Sequence, residues 1–140
     1  MSQALLTGLV RTAEPQVMLR RFLALDAVVT AANGLVYALA AGPVGRLLGV
    51  GEGLLLGLGL FLVAYAAGVG ALARQRRPSP FWVSLVVEAN AAWALLSVLA
   101  TVLWFDVTLA GAVWIPAQGL VVAGFAVAQR ACLRAGRASQ

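Results

Sequence analysis

Asp26, Thr30, Asn33 and Tyr37 are the residues whose types and spacing could do chemistry together. They stand four, three and four positions apart, so on a helix they fall within an arc of about 60°. A carboxylate, a hydroxyl, an amide and a phenol on one stripe can bind a cation, pass a proton, or hold the polar group of an amphiphile. All four lie inside the apolar stretch "LALDAVVTAANGLVYALA". Polar groups facing hydrocarbon have no water to bond to. The stripe must therefore face protein, another subunit or a wet cavity.

A second set follows in "VSLVVEANAAWALLSVLAT". Asn90, Trp93, Ser97 and Thr101 share one helical face, whereas Glu88 lies about 200° from Asn90 and groups with Ser84. The candidate ligand-binding residues are thus Asp26, Thr30, Asn33 and Tyr37, joined by Glu88 and Trp93. Ionisable residues inside a membrane are functional candidates by default. Asp26 lies about 7 Å of helical rise beyond Arg21, and Glu88 about 9 Å beyond Trp82. At that depth each acid could instead pair with Arg21, Arg77 or Arg130 and fix helix register. Asn33 and Tyr37 are deeper and have no charge to explain them. Either an interhelical hydrogen bond, contributing about 0.6–2 kcal/mol, or a pocket wall accounts for them. Trp93 reads as lipid-facing or core packing, or as a pocket wall.

Catalysis has little to work with. The chain has no histidine and a single cysteine, Cys132. Ser-His-Asp and Cys-His mechanisms are excluded, as are histidine-ligated metals and haem. Carboxylate acid–base chemistry at Asp26 or Glu88 is the remaining route to an enzyme. The chain is read as a non-enzyme with no cofactor and no metal.

The elements that must carry these residues follow from composition. Of 140 residues, 62% are hydrophobic and 11% charged, and the mean hydropathy is +0.94. That is too little charge to coat a soluble domain. A spanning helix needs about 20 apolar residues, and four segments qualify, at about 22–41, 53–73, 82–103 and 107–128. The expected fold is an all-α bundle of four transmembrane helices. Residues 1–21 form a cytoplasmic tail or an interfacial helix using Leu5, Leu6, Leu9 and Val10, and 130–140 a basic tail. Gly42-Pro43 is expected to stop the first span, Arg74 to Pro78 the second, and Trp104-Phe105-Asp106 to turn the third into the fourth.

The net charge of +5 comes from ten arginines and no lysine. They flank apolar runs and form no basic face, which argues against nucleic acid. Nine fall on one side of a four-span topology and Arg46 alone on the other. The positive-inside rule then places both termini in the cytoplasm. Rich Ala, Leu, Gly, Val and Arg usage points to a bacterial chain, hence the inner membrane. Trp82, Trp93 and Trp104 are eleven residues apart and measure about 33 Å end to end, so Trp82 and Trp104 read as interface anchors, with Trp114 in the outer belt.

The halves repeat. Gly59, Leu60, Ala66, Ala71, Arg74 and Arg77 recur as Gly119, Leu120, Ala126, Ala131, Arg134 and Arg137. Leu23, Ala27, Ala32, Val36 and Ala38 recur as Leu85, Ala89, Ala94, Val98 and Ala100, which aligns Asp26 with Glu88. Two spans per half imply a parallel tandem repeat of helical hairpins. Gly49, Gly53, Gly57 and Gly68 give small-xxx-small spacing, a packing face within the chain or between copies in a homo-oligomer.

The stretch "LDAVVTAANGLVYALAAGPVGRLLGV", its Pro-containing outer loop and a third span carrying an acid and an Asn resemble small four-span bacterial membrane proteins of the broadly DoxX-like kind. The resemblance implies a four-helix membrane bundle and brings no catalytic residues with it. The expected function is binding or transport of a small cation, proton or amphiphile. The alternative is an accessory or scaffold subunit of a membrane complex.

Overall fold

The computed structural model describes residues 15–103 and 107–138, and they form five helices and no strand. In chain order these are α1 (Pro15–Leu39), α2 (Ala41–Leu48), α3 (Glu52–Arg74), α4 (Pro80–Leu103) and α5 (Leu109–Ala138). Four of them, Gln16–Leu39, Glu52–Arg74, Pro80–Leu103 and Leu109–Gly136, are long and apolar enough to cross a membrane. The proposed interfacial helix before Pro15 and the Trp104-Phe105-Asp106 turn lie outside the described residues.

The helix ends have local causes. Gly42-Pro43 does not simply stop the first span. The chain bends at Ala40 and re-enters a helix at Ala41. Pro43 sits in the first turn of α2, where a missing N–H costs nothing because first-turn N–H groups have no intrahelical acceptor. Gly49 ends α2 at φ 75°, donating its N–H to Gly45 O, a left-handed cap that favours glycine. Pro80 opens α4. Thr108 caps α5 by accepting the Gly111 N–H at 3.1 Å. At the other end α5 continues to Ala138, so the segment expected as a basic tail is largely helical.

α1 packs most intimately on α3, and α4 on α5, so the bundle consists of two hairpins. α1 also lies along α5, whereas α3 and α4 scarcely meet. The α1–α3 crossing is tight because two glycines face each other. A Cβ on Gly34 would come within 2.9 Å of Gly59 O, and one on Gly59 within 2.6 Å of Ala38 N. A Cβ on Gly53, Gly57 or Gly68 would touch nothing. The anticipated packing stripe is therefore unused inside the chain, and the work falls to Gly59. One apolar core, with Leu23, Val69, Val83 and Cys132, fills the end where Arg20, Arg74 and Arg134 gather. Cys132 belongs to this core rather than to a tail, being 1% exposed. A smaller core of Tyr37, Ala41, Leu55 and Leu62 fills the end near Arg46.

The inward faces of the two hairpins correspond. Buried Leu19, Leu23 and Asp26 match buried Val83, Val87 and Asn90 sixty-four positions later. Buried Gly59, Ala66, Val69 and Leu72 match buried Gly119, Ala126, Gln129 and Cys132 sixty positions later. At that spacing Asp26 falls on Asn90, and both are buried. Glu88, aligned with Asp26 from sequence similarity, points outward.

Candidate functional site

Asp26 is 1% exposed, and both its oxygens accept hydrogen bonds. Oδ2 receives Asn90 Nδ2 and Gln129 Nε2, each at 2.8 Å. Oδ1 receives Thr30 Oγ1 at 3.0 Å. Asn90 Nδ2 also donates to Gln129 Oε1 at 3.1 Å, and Tyr65 Oη donates to Asn90 Oδ1 at 3.1 Å. The four long helices α1, α3, α4 and α5 therefore meet at one polar knot. Among the described residues, no arginine takes part. Of the two alternatives for Asp26, the arginine pair does not form and neutral donors surround the carboxylate, because Asp26 faces the bundle axis while the described arginines sit at the helix ends and on the outside.

Glu88 behaves oppositely. Its carboxylate is paired with Arg130 at 3.1 Å, with side chains 70% and 45% exposed respectively. The two acids weighed together from sequence thus part company: Asp26 is central, and Glu88 lies on the outer surface, away from Asn90.

Beside the knot, the gap between α3 and α4 holds a cavity of about 520 Å³. Its walls are mostly aliphatic and aromatic, including Phe61, Tyr65 and Phe125. Thr30, Asn33 and Trp93 line it, joined by Asn90, Gln118 and Trp114. Asp26 and Glu88 do not line it, and Tyr37 lines a second cavity of about 280 Å³ toward the Arg46 end. The two cavities share Leu58, Trp93, Leu96 and Gln118. A third, about 600 Å³, continues the gap toward Trp82, with Tyr65 and Ala89 on the shared boundary.

Most polar groups around the cavity beside the knot are satisfied by one another. Trp93 Nε1 donates to Gln118 Oε1 at 2.8 Å. Gln118 Nε2 donates to Ser97 Oγ at 2.8 Å and lies 2.7 Å from Ile115 O. Trp114 Nε1 donates to Tyr37 Oη at 2.7 Å, so Trp114 joins α5 to α1 toward the Arg46 end. Tyr65, Gln118 and Gln129 were missed as site residues. Gln129 stands between the expected end of the fourth span at 128 and the basic tail from Arg130, and its partner Asp26 is 103 residues away. Sixty positions after Tyr65 stands Phe125, which has no hydroxyl, so the similarity between the halves gives no sign of the Tyr65 bond.

This arrangement can enclose an apolar body and offer it a few polar contacts. Among the described residues, no three His, Cys, Asp or Glu side chains converge as a metal site would require. Comparison with family models, curated proteins and solved structures finds no match for the chain.

Proposed function

We propose that this chain is a multi-pass protein of a bacterial inner membrane that binds an amphiphile entering from the bilayer between α3 and α4. The observation that carries the reading is the cavity of about 520 Å³ in that gap, apolar along its walls and polar toward the bundle axis. Its size falls in the range of small-molecule sites, which are concave, mostly apolar and carry a few placed polar groups. A cation or proton site is the weaker form of the idea, because Asp26 is off the cavity wall and its oxygens are already engaged.

Further parts of the proposal rest on pattern. The arginine distribution supports cytoplasmic termini. The matched inward faces support a tandem repeat in the Asp26–Asn90 register. The free face at Gly53 and Gly57 supports a homo-oligomer, and the DoxX-like likeness is consistent with all of these.

Native mass spectrometry of the gently solubilised protein tests the binding reading. One amphiphile per chain is expected on the wild type and should be lost in Val122→Trp, which fills the cavity wall. Equal retention by both proteins overturns it. The second reading, an accessory subunit, is favoured by the knot itself, since a fully bonded cluster is what helix-joining alone requires. In that case Asp26→Asn lowers stability and partner capture, and Val122→Trp changes no ligand occupancy.

A further inference from the structure

Asn33 stands out among the polar residues of the cavity. It lies on α1, about 18 Å of helical rise beyond Arg21, well inside the apolar thickness. Its side chain reaches the cavity, and its amide makes no hydrogen bond with any described residue. An amide left without partners in hydrocarbon is costly.

The second hairpin supplies an internal comparison. At the offset that matches the inward faces, the counterpart of Asn33 is Ser97, and Ser97 Oγ accepts from Gln118 on the neighbouring helix. In the first hairpin the position matching Gln118 is Leu58, which offers nothing to Asn33. One hairpin closes its polar position internally and the other leaves it open toward the cavity.

One turn away, Thr30 Oγ1 spends its proton on Asp26 and keeps lone pairs to accept with. Asn33 can donate and accept, and Thr30 can accept. Among the described residues, no charged side chain lines any of the three cavities. An anionic head would be stripped of water there without a counter-charge, and a cationic one would meet only the Asp26 carboxylate, which lies off the wall and already holds three donors. A hydroxyl both donates and accepts and carries no charge.

We infer that the bound amphiphile is uncharged and carries a hydroxyl head, as in a long-chain alcohol or a diacylglycerol, with that head held by Asn33 and Thr30. This rests on the binding reading above and names its ligand class.

Trp93 and Trp114 line the same cavity, so their fluorescence reports occupancy by a brominated chain. The full-length protein in zwitterionic nanodiscs is titrated with 11-bromoundecanol, 11-bromoundecanoate, 11-bromoundecyl-trimethylammonium and 1-bromoundecane. Saturable quenching strongest for the alcohol is expected. Asn33→Leu should weaken the alcohol by roughly five- to tenfold, the worth of one hydrogen bond, and leave the bromoalkane unchanged. Its thermal unfolding should match the wild type, because no internal hydrogen bond is removed. If Asn33→Leu does not fold, Asn33→Ala carries the same comparison. Equal saturable binding of the charged probes, or an unchanged alcohol affinity in the variant, overturns the hydroxyl assignment while leaving the cavity as a binding site. No saturable quenching by any of the four probes overturns the binding reading and the assignment with it.

Discussion

Asp26 and Glu88 show how little a residue type says without its surroundings. Both are carboxylates at similar depth, yet one is enclosed by three donors and the other is exposed beside Arg130. Asp26→Ala removes the acceptor of three hydrogen bonds and leaves buried amides of Asn90 and Gln129 short of partners. A loss of roughly 2–4 kcal/mol is expected, read as a shifted unfolding curve in mixed micelles. Glu88→Gln, which breaks an exposed pair, should cost less than about 1 kcal/mol in the same assay. Tyr65→Phe should fall between them at about 1 kcal/mol. The stripe from Asp26 to Tyr37 was legible because it depends only on helical spacing. That Asp26 bonds amides rather than arginine was not, since Asn90 and Gln129 come from distant helices and no spacing rule links them.

At the scale of the helix, length and apolarity marked the four spans, and the ends were displaced wherever polar residues lay inside a helix. α1 begins before Phe22 and α5 runs past Ala128, because Arg20, Arg21, Gln129 and Arg130 interrupt the apolar run without interrupting the hydrogen-bonded backbone. Arg20 even tethers α1 to the end of α3, its Nε donating to Ala73 O at 2.9 Å. Glycine was the less readable feature, since its use depends on what lies opposite. Gly59→Val should separate α1 from α3 and cost about 1–3 kcal/mol or more, with backbone atoms as the obstacle. Gly57→Ala, which meets nothing within its own chain, should be neutral or stabilising for the monomer by about 0.5–1 kcal/mol through helix propensity. Thermal unfolding of the two variants side by side checks the contrast.

For the whole molecule, the bundle has two seams between its hairpins, and they differ. Along α1–α5, Gln129 bonds Asp26 and Trp114 bonds Tyr37. The matching positions on α3 are Val69 and Leu54, which can form neither bond. Across α3–α4, the described hydrogen bonds are those of Tyr65 Oη, to Asn90 Oδ1 and, at 3.4 Å, to Val86 O. The difference between seams explains why the cavities collect on one side. Spin labels on exposed Leu60 and Leu95 should therefore give a broader distance distribution than labels on exposed Leu25 and Val127. Electron–electron resonance in nanodiscs reads both pairs, and equal widths would count against the asymmetry. None of this was visible in the overall hydropathy, which treats the four spans alike.

Thr108 adds a mechanical consequence. Its hydroxyl donates to Leu47 O at 2.5 Å and its N–H to Leu48 O at 3.3 Å, clasping the end of α2 to the start of α5. With that clasp at one end and the Asp26 knot toward the other, the α1–α5 side acts as the spine of a book. The two hairpins are its leaves, each held stiff by its own internal packing. If the leaves part, they do so at the fore-edge, where among the described residues only Tyr65 Oη bonds across, and groups close to the spine travel least. The proposed amphiphile would then enter between the leaves from the side while the bonds at Asp26 stay made.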